Sequence, residues 1–297
     1  PSKGSFNWTL IDNLISLWFS AGKKITLIVQ TSQEGTETDP YATSSTPTWV
    51  YAEGARSITV NECGVNQQMP VLWDPIFQAE YKIFIQQLAA RYDGDPGIEY
   101  IFMGPGVFGS TRAMYMGSIS IYQAAGYTNQ LWYQANQQIM ADYLGAFHMT
   151  HLALCMAPFI SDVAPVDPNY NEFNLATYAD KQGMYIYFHD LRGTSWWTNS
   201  AYPQFLASLG TTTKIALGVD NPTSTNSTYY RQYGDPVTCV QYAFGGINGL
   251  PPINTYYISF YLEDISAGTS GSPTFQQQYY DALLLAMSDF QSKDKTW

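Results

Sequence analysis

Charge is scarce in this sequence. Of 297 residues, 13 are Lys or Arg and 24 are Asp or Glu, 12% in all, about half the ~25% of an average globular chain. Basic residues are the rarer of the two, which leaves a formal net charge of −11 and a pI near 4.5. A nucleic-acid or anionic-membrane partner needs a basic face, so neither is expected. Long apolar runs are missing too. The best of them, Ile25–Val29 and residues 258–262, are strand-length, far short of the ~18 residues of a membrane span. Three histidines (His148, His151, His189) are too few for a His-rich metal site, and the three cysteines form no metal-ligand cluster. No metal or cofactor is therefore expected. Cys155 lies in an apolar run and reads as a small core residue, whereas Cys63 and Cys239 sit in looser contexts and could pair. The H-E-x-x-H, G-x-S-x-G, Walker and C-x-x-C motifs are all missing. The chain opens on Pro1 without a recognisable signal peptide, which suggests a processed protein or a stretch from inside a longer one.

What the sequence does have is apolar and neutral-polar material. Hydrophobic residues make up 45%, which excludes disorder. Tyr (24 residues), Thr, Asn and Gln supply the polar surface. Low Lys with that surface fits an extracellular setting. Asn7-Trp-Thr9 and Asn226-Ser-Thr228 match the N-glycosylation acceptor pattern.

Short apolar runs alternate with longer amphipathic segments. Helices are expected over residues 8–21, 75–92, 119–147 (one helix, or two broken near Gly126), 175–182, 200–209, 235–244 and 275–290. Strands are expected over 24–30, 99–103, 151–159, 184–189, 214–219 and 256–262. In residues 8–21 the apolar positions Leu10, Ile11, Leu14, Ile15 and Leu17 recur at helical spacing. The alternation implies βαβ units and a parallel sheet. Gly104-Pro-Gly-Val-Phe-Gly109 has G-x-G-x-x-G spacing after a strand. However, it lies mid-chain, Pro105 removes a backbone donor, and no acidic residue ends a strand about 20 positions on. A loop built for close backbone approach is the better reading. Uniform helices and strands apolar on both faces favour a (β/α)8 barrel. Since the first element is a helix, the six strands number as the third to the eighth, and the first two are expected upstream of residue 1. Residues 1–297 then form a single, N-terminally incomplete barrel domain.

Pro1-Ser-Lys-Gly-Ser-Phe-Asn-Trp8, Ile11-Asp12 and Ala21-Gly-Lys-Lys-Ile-Thr-Leu27 resemble the segment after the second strand in (β/α)8 glycoside hydrolases of the large retaining clan, the beta-galactosidase and cellulase group. Thr46-Pro-Thr-Trp49 is similar to the family's Pro-x-Trp after the third strand. Residues 70–75 with Tyr81, and Leu88-Ala-Ala-Arg-Tyr-Asp93, resemble its next helix. The likeness covers about the first 110 residues. It implies a secreted, carbohydrate-active barrel with an acid/base Glu after Asn at the end of the fourth strand and a nucleophile Glu at the end of the seventh. Here the fourth strand ends Phe102-Met-Gly-Pro-Gly-Val107 without Asn-Glu, and relatives with a Gly-x-Gly turn would place the Glu near Ser110. The seventh ends Leu217-Gly-Val-Asp-Asn221, which puts Asp220 roughly at the nucleophile position.

A glycosidase needs two carboxylates on one sugar bond, ~5–5.5 Å apart for retention or ~6.5–9.5 Å for inversion, at the C-terminal end of the strands. The carboxylates expected there are Asp162, Asp190, Asp220, Glu263 and Asp264. Asp220 with Glu263 is the best catalytic pair. The alternative reading has Asp220 open a turn and Glu263 or Asp264 cap a loop or pair with Arg192. Glu53, near Trp49, could border a cleft. Asp162, Asp167 and Asn169 have oxygen ligands suited to Ca²⁺, but a solvated loop explains them better. His189, Asp190 and Arg192 are candidates for sugar hydroxyls. Trp49, Phe108, Trp196, Trp197, Tyr229 and Tyr230 all follow strands, where their rings could stack on flat sugar faces. Two functions fit: an extracellular glycoside hydrolase acting through Asp220 and Glu263, or a catalytically degenerate barrel that binds carbohydrate or serves as a surface or assembly module.

Overall fold

The computed structural model describes residues 2–31, 45–62, 65–107, 109–113, 119–159, 167–209, 213–219 and 222–293. The chain divides into two compact units, Pro1–Met184 and Tyr185–Trp297.

In the first unit the elements run α1 (Thr9–Ser20), β1 (Ile25–Val29), α2 (Thr48–Ala52), β2 (Ser57–Glu62), β3 (Val65–Pro70), α3 (Pro75–Tyr92), β4 (Ile98–Met103), α4 (Ile119–Ala124), α5 (Asn129–Ala146), β5 (His151–Met156) and α6 (Glu172–Lys181). β1, β4 and β5 are parallel neighbours in that order, with Leu27 opposite Ile101 and Ile101 opposite Leu152. On β4 and β5 both faces are buried, as their unbroken apolar runs imply: Tyr100 and Phe102 on one side, Ile101 and Met103 on the other. The helix boundaries follow from local chemistry. Asp74 caps α3 by accepting from the Ile76 and Phe77 amides at 3.0 and 3.1 Å, with Pro75 at the first helical position. Thr128 caps α5 through the Leu131 amide. The long helical stretch breaks at Gly126, whose φ of +92° suits glycine alone. A buried hydrogen bond of 3.2 Å joins Tyr81 on α3 to Tyr143 on α5, and burial pushes both phenols well above their usual pKa.

Two features depart from the sequence reading. β2 and β3 form an antiparallel hairpin inside what reads as loop. Its alternation of buried Ile58 and Val60 with exposed Ser57 and Thr59 is the missed signal. On α1 only Ile15 is buried, while Leu10, Leu14, Leu17 and Trp18 form an exposed stripe. The helical period is there, but most of the apolar set faces outward.

Asp93 ends α3 and ties the loop before β5. Its carboxylate accepts from the backbone amides of His148, Met149 and Thr150 at 2.9, 2.9 and 2.8 Å. Burial pushes its pKa up, but those amides outweigh burial and hold it below 3.8. A carboxyl with a depressed folded-state pKa stabilises fully above its unfolded pKa and stops doing so as pH falls through the folded one. The melting temperature is therefore expected to fall below about pH 4, and less steeply in Asp93→Asn. Melting curves from pH 7 to pH 2 measure both slopes.

The second unit runs β6 (Tyr185–Phe188), α7 (Ser195–Asn199), α8 (Tyr202–Ser208), β7 (Ile215–Gly218), α9 (Ser227–Tyr233), α10 (Pro236–Phe244), β8 (Thr255–Ser259), α11 (Leu262–Ala267) and α12 (Gln277–Lys293). β6, β7 and β8 are parallel neighbours, with Phe188 opposite Leu217 and Leu217 opposite Ile258. Ile186, Ile215, Leu217 and Val240 are completely buried. Asp235 caps α10 through the Thr238 amide, followed by Pro236. The last strand is shorter than its apolar run suggests. Pairing ends at Ser259, and Leu262 opens α11 instead of closing β8. Glu263 and Asp264 therefore belong to the first turn of that helix. Cys63, which the sequence reading paired with Cys239, lies outside the described residues, and Cys239 and Cys155 are both buried. Burial raises the Cys239 pKa to about 12.

Candidate functional site

The C-terminal ends of β6, β7 and β8 border an open cavity of ≈ 290 Å³, lined by Tyr187, His189, Val219, Ser259, Phe260, Tyr261 and Leu262. Gly218 permits this shape: a Cβ there would stand 2.4 Å from the Tyr187 hydroxyl and 3.3 Å from the Ser259 Cβ. A larger residue would drive the phenol out of the cleft. The His189 ring lies beside Tyr187 and Phe188, at centroid distances of 6.4 and 6.3 Å. The cavity thus offers two phenols, an imidazole and a hydroxyl on apolar walls, a set suited to a neutral polyhydroxylated ligand. The sequence reading reached His189 but missed Tyr187, Ser259 and Tyr261. The available sign was a serine alternating with aromatics at the end of a strand.

Asp190 and Arg192 bond each other. The guanidinium forms two parallel hydrogen bonds to the carboxylate, at 2.7 and 2.9 Å. It lies 4.1 Å from the Trp196 ring centroid and 5.1 Å from that of Tyr233. The support is backbone. Gly193 N donates to Tyr233 O at 2.6 Å, and Gly193 pairs with Gly234, where a Cβ on Gly234 (φ +88°) would stand 2.6 Å from Gly193 O. One face of Trp196, 37% exposed, is covered by Arg192. Its neighbour Trp197, expected as a second stacking platform, is 0% exposed and packs 5.9 Å from Phe188. On α7 these adjacent residues point about 100° apart, so one ring enters the core and the other does not. Tyr229 and Tyr230 are half-buried on α9.

Asp264, 3% exposed, serves structure. It accepts from Thr223 N at 3.0 Å and Ser224 N at 2.8 Å, anchoring the loop beyond β7, and Tyr279 donates to Thr223 Oγ1 at 2.9 Å. Asp264→Ala would leave both amides without an acceptor and is expected to cost about 2–4 kcal/mol. Asp264→Asn, which keeps one carbonyl oxygen, should cost less than half of that by urea denaturation. Glu263 is exposed beside it. Asp220, its proposed catalytic partner, lies outside the described residues, as do Phe108 and Asp162.

In the first unit the loop after β4 is closely packed. Residues 104–107 and 109–111 are buried. Ser110, 0% exposed, donates to Val107 O at 2.7 Å. Thr111 Oγ1 donates to Ala157 O and accepts from Ala157 N, while Thr31 Oγ1 donates to Pro105 O. A Cβ on Gly104 would stand 2.0 Å from Gly109 O, and one on Gly106 would stand 2.0 Å from Arg112 O. The glycine spacing therefore serves close backbone packing. Trp49 is half-buried on α2, 5.8 Å from Lys3 Nζ, which pairs with Glu53 and Glu80 at 2.6 and 2.7 Å. Among the described residues no group of three His, Cys, Asp or Glu is placed to hold a metal ion, and no helix is long and apolar enough to cross a membrane.

No protein-family model and no curated protein matches this sequence. Solved structures do. A thermostable mutant of a xylanase (Xyn10A) from Cellvibrio japonicus is similar with a TM-score of 0.52 at 14% identity, over 97% of this chain and 85% of that one. The catalytic core of xylanase A is similar with a TM-score of 0.51 at 14% identity, over the same shares. At that identity the likeness shows the fold, an α/β chain of the (β/α)8 barrel type.

Proposed function

We propose that this chain is a glycoside-hydrolase-like barrel that binds a neutral carbohydrate, in an extracellular setting, without the acid/base pair of hydrolytic relatives. The observation that carries this reading is the cleft of Tyr187, His189, Ser259 and Tyr261 at the ends of parallel strands, with two neighbouring carboxylates committed elsewhere: Asp190 to Arg192 and Asp264 to two backbone amides. The buried Ser110 loop supports it, because a general acid must reach the glycosidic oxygen. The fold of two xylanase structures makes a sugar the natural ligand.

Glu263 favours a second reading. It is an exposed carboxylate directly after Leu262, which lines the cleft, and with Asp220 it would make the chain a glycoside hydrolase. A panel of neutral polysaccharides and aryl glycosides separates the two. Binding should be retained and no reducing ends released by wild type, Asp220→Asn or Glu263→Gln. Hydrolysis by wild type that both substitutions abolish would establish the glycosidase.

A further inference from the structure

Two motifs take no part in the cleft. Asn7-Trp8-Thr9 and Asn226-Ser227-Thr228 are the two places where an asparagine is followed, after one residue other than proline, by serine or threonine. Their local geometry is the same. Each asparagine is exposed, and so is the threonine two residues on. The Asn7 side-chain oxygen accepts from the Thr9 amide at 3.1 Å, and that of Asn226 accepts from the Thr228 amide at 2.9 Å. Each carboxamide oxygen is thereby held against the backbone. Among the described residues neither Nδ2 makes a hydrogen bond. Nδ2 is the atom that carries an N-linked glycan, and so bulky a group fits only at a surface. A glycan at Asn7 or Asn226 would break no bond of that nitrogen and would leave the oxygen's bond in place. Asn221-Pro222-Thr223 differs on two counts: proline intervenes, and Thr223 is 6% exposed with its hydroxyl accepting from Tyr279. We propose that Asn7 and Asn226 are N-glycan acceptors, with a lipid-pyrophosphate-linked oligosaccharide as the donor class. The bond from Nδ2 to the anomeric carbon forms as the bond from that carbon to the pyrophosphate oxygen breaks. Nδ2 gives up one proton, the lipid pyrophosphate leaves, and nothing is oxidised or reduced. Such modification needs the extracellular setting proposed above and is independent of the cleft, because the asparagines hold sugar covalently whatever Tyr187 and His189 bind.

The test sends the full chain through the secretory pathway of a eukaryotic cell behind an added leader peptide, and examines both the medium and the cell extract. Intact mass reads the number of glycans. Peptide N-glycanase in heavy-oxygen water converts each carrier asparagine to a labelled aspartate, which peptide mapping locates. Wild type should carry glycan at Asn7 and Asn226 and none at Asn221. Asn7→Gln and Asn226→Gln should each remove one glycan, and the double variant should carry none. Wild type bare at both positions would overturn the proposal and leave the sugar-binding cleft standing. A glycan at one position alone would overturn it for the other. Glycan on Asn221 would show that these exposed motifs are not what selects the acceptor. Retention of glycosylated wild type inside cells that secrete the double variant would show that the fold cannot carry the glycans, and would overturn it equally.

Discussion

Trp197→Ala is expected to cost about 3–5 kcal/mol, the range for removing a large aromatic from a core, while Trp196→Ala should cost about 1 kcal/mol or less. The two residues are sequence neighbours of the same type, so composition and local propensity cannot tell them apart. Trp197 has no exposed surface and packs on Phe188, at the strand that leads into His189. Its removal leaves a cavity that rigid strand ends fill poorly. Trp196 instead loses a cation–π contact with Arg192 and a stacked contact with Tyr202 at 6.0 Å, and Asp190 keeps its two hydrogen bonds to that guanidinium. Urea denaturation followed by far-ultraviolet circular dichroism measures the difference. Equal costs would show that the two rings share one environment.

Ser110→Glu is the second. It places a carboxylate where hydrolytic relatives of the resembled family would carry one, and it should yield instability without activity. Ser110 is fully buried, donates to Val107 O and accepts from Arg112 N at 3.2 Å. A backbone neighbour, Gly109, has no room for even a Cβ, which would meet Ile28 Cγ2 at 2.3 Å. Glutamate adds volume to packed surroundings, at about 1–3 kcal/mol, and removes a satisfied hydroxyl, so a total loss of several kcal/mol is expected. A stable Ser110→Glu protein that hydrolyses an aryl glycoside would mean that the loop opens and that the Ser110 position faces substrate.

The parallel strands were legible because burial on both faces demands continuous apolar runs. Ile98–Met103 and Ile215–Gly218 announce themselves that way, whereas Ile25–Val29 has the apolar run with Ile28 46% exposed. The helix Pro75–Tyr92 was legible to the residue, since Asp74 and Pro75 open it and Asp93 with Gly94 close it. The hairpin of Ser57–Glu62 and Val65–Pro70 was hidden by polar residues: Asn66, Gln67 and Gln68 read as loop, yet Gln67 is buried. The end of the last strand was hidden by the opposite property. Tyr-Tyr-Ile-Ser-Phe-Tyr-Leu looks uniform, and only hydrogen bonding to β7 decides that it stops at Ser259.

The site was harder to read. His189 stood out by its rarity, but the commitment of Asp190 to Arg192, and of Asp264 to Thr223 and Ser224, depends on distances that spacing does not encode. A carboxylate at a strand end looks the same in sequence whether it meets substrate or a backbone amide.

The central claim is a cleft that holds sugar without cleaving it. The most direct measurement is affinity electrophoresis of wild type and His189→Ala in gels containing neutral polysaccharides, with reducing ends assayed in the same mixtures. At least one polysaccharide should retard wild type, His189→Ala should show an apparent Kd tenfold or more weaker, and reducing ends should stay at background. Release of reducing ends by wild type, or identical retardation of both proteins, would contradict it.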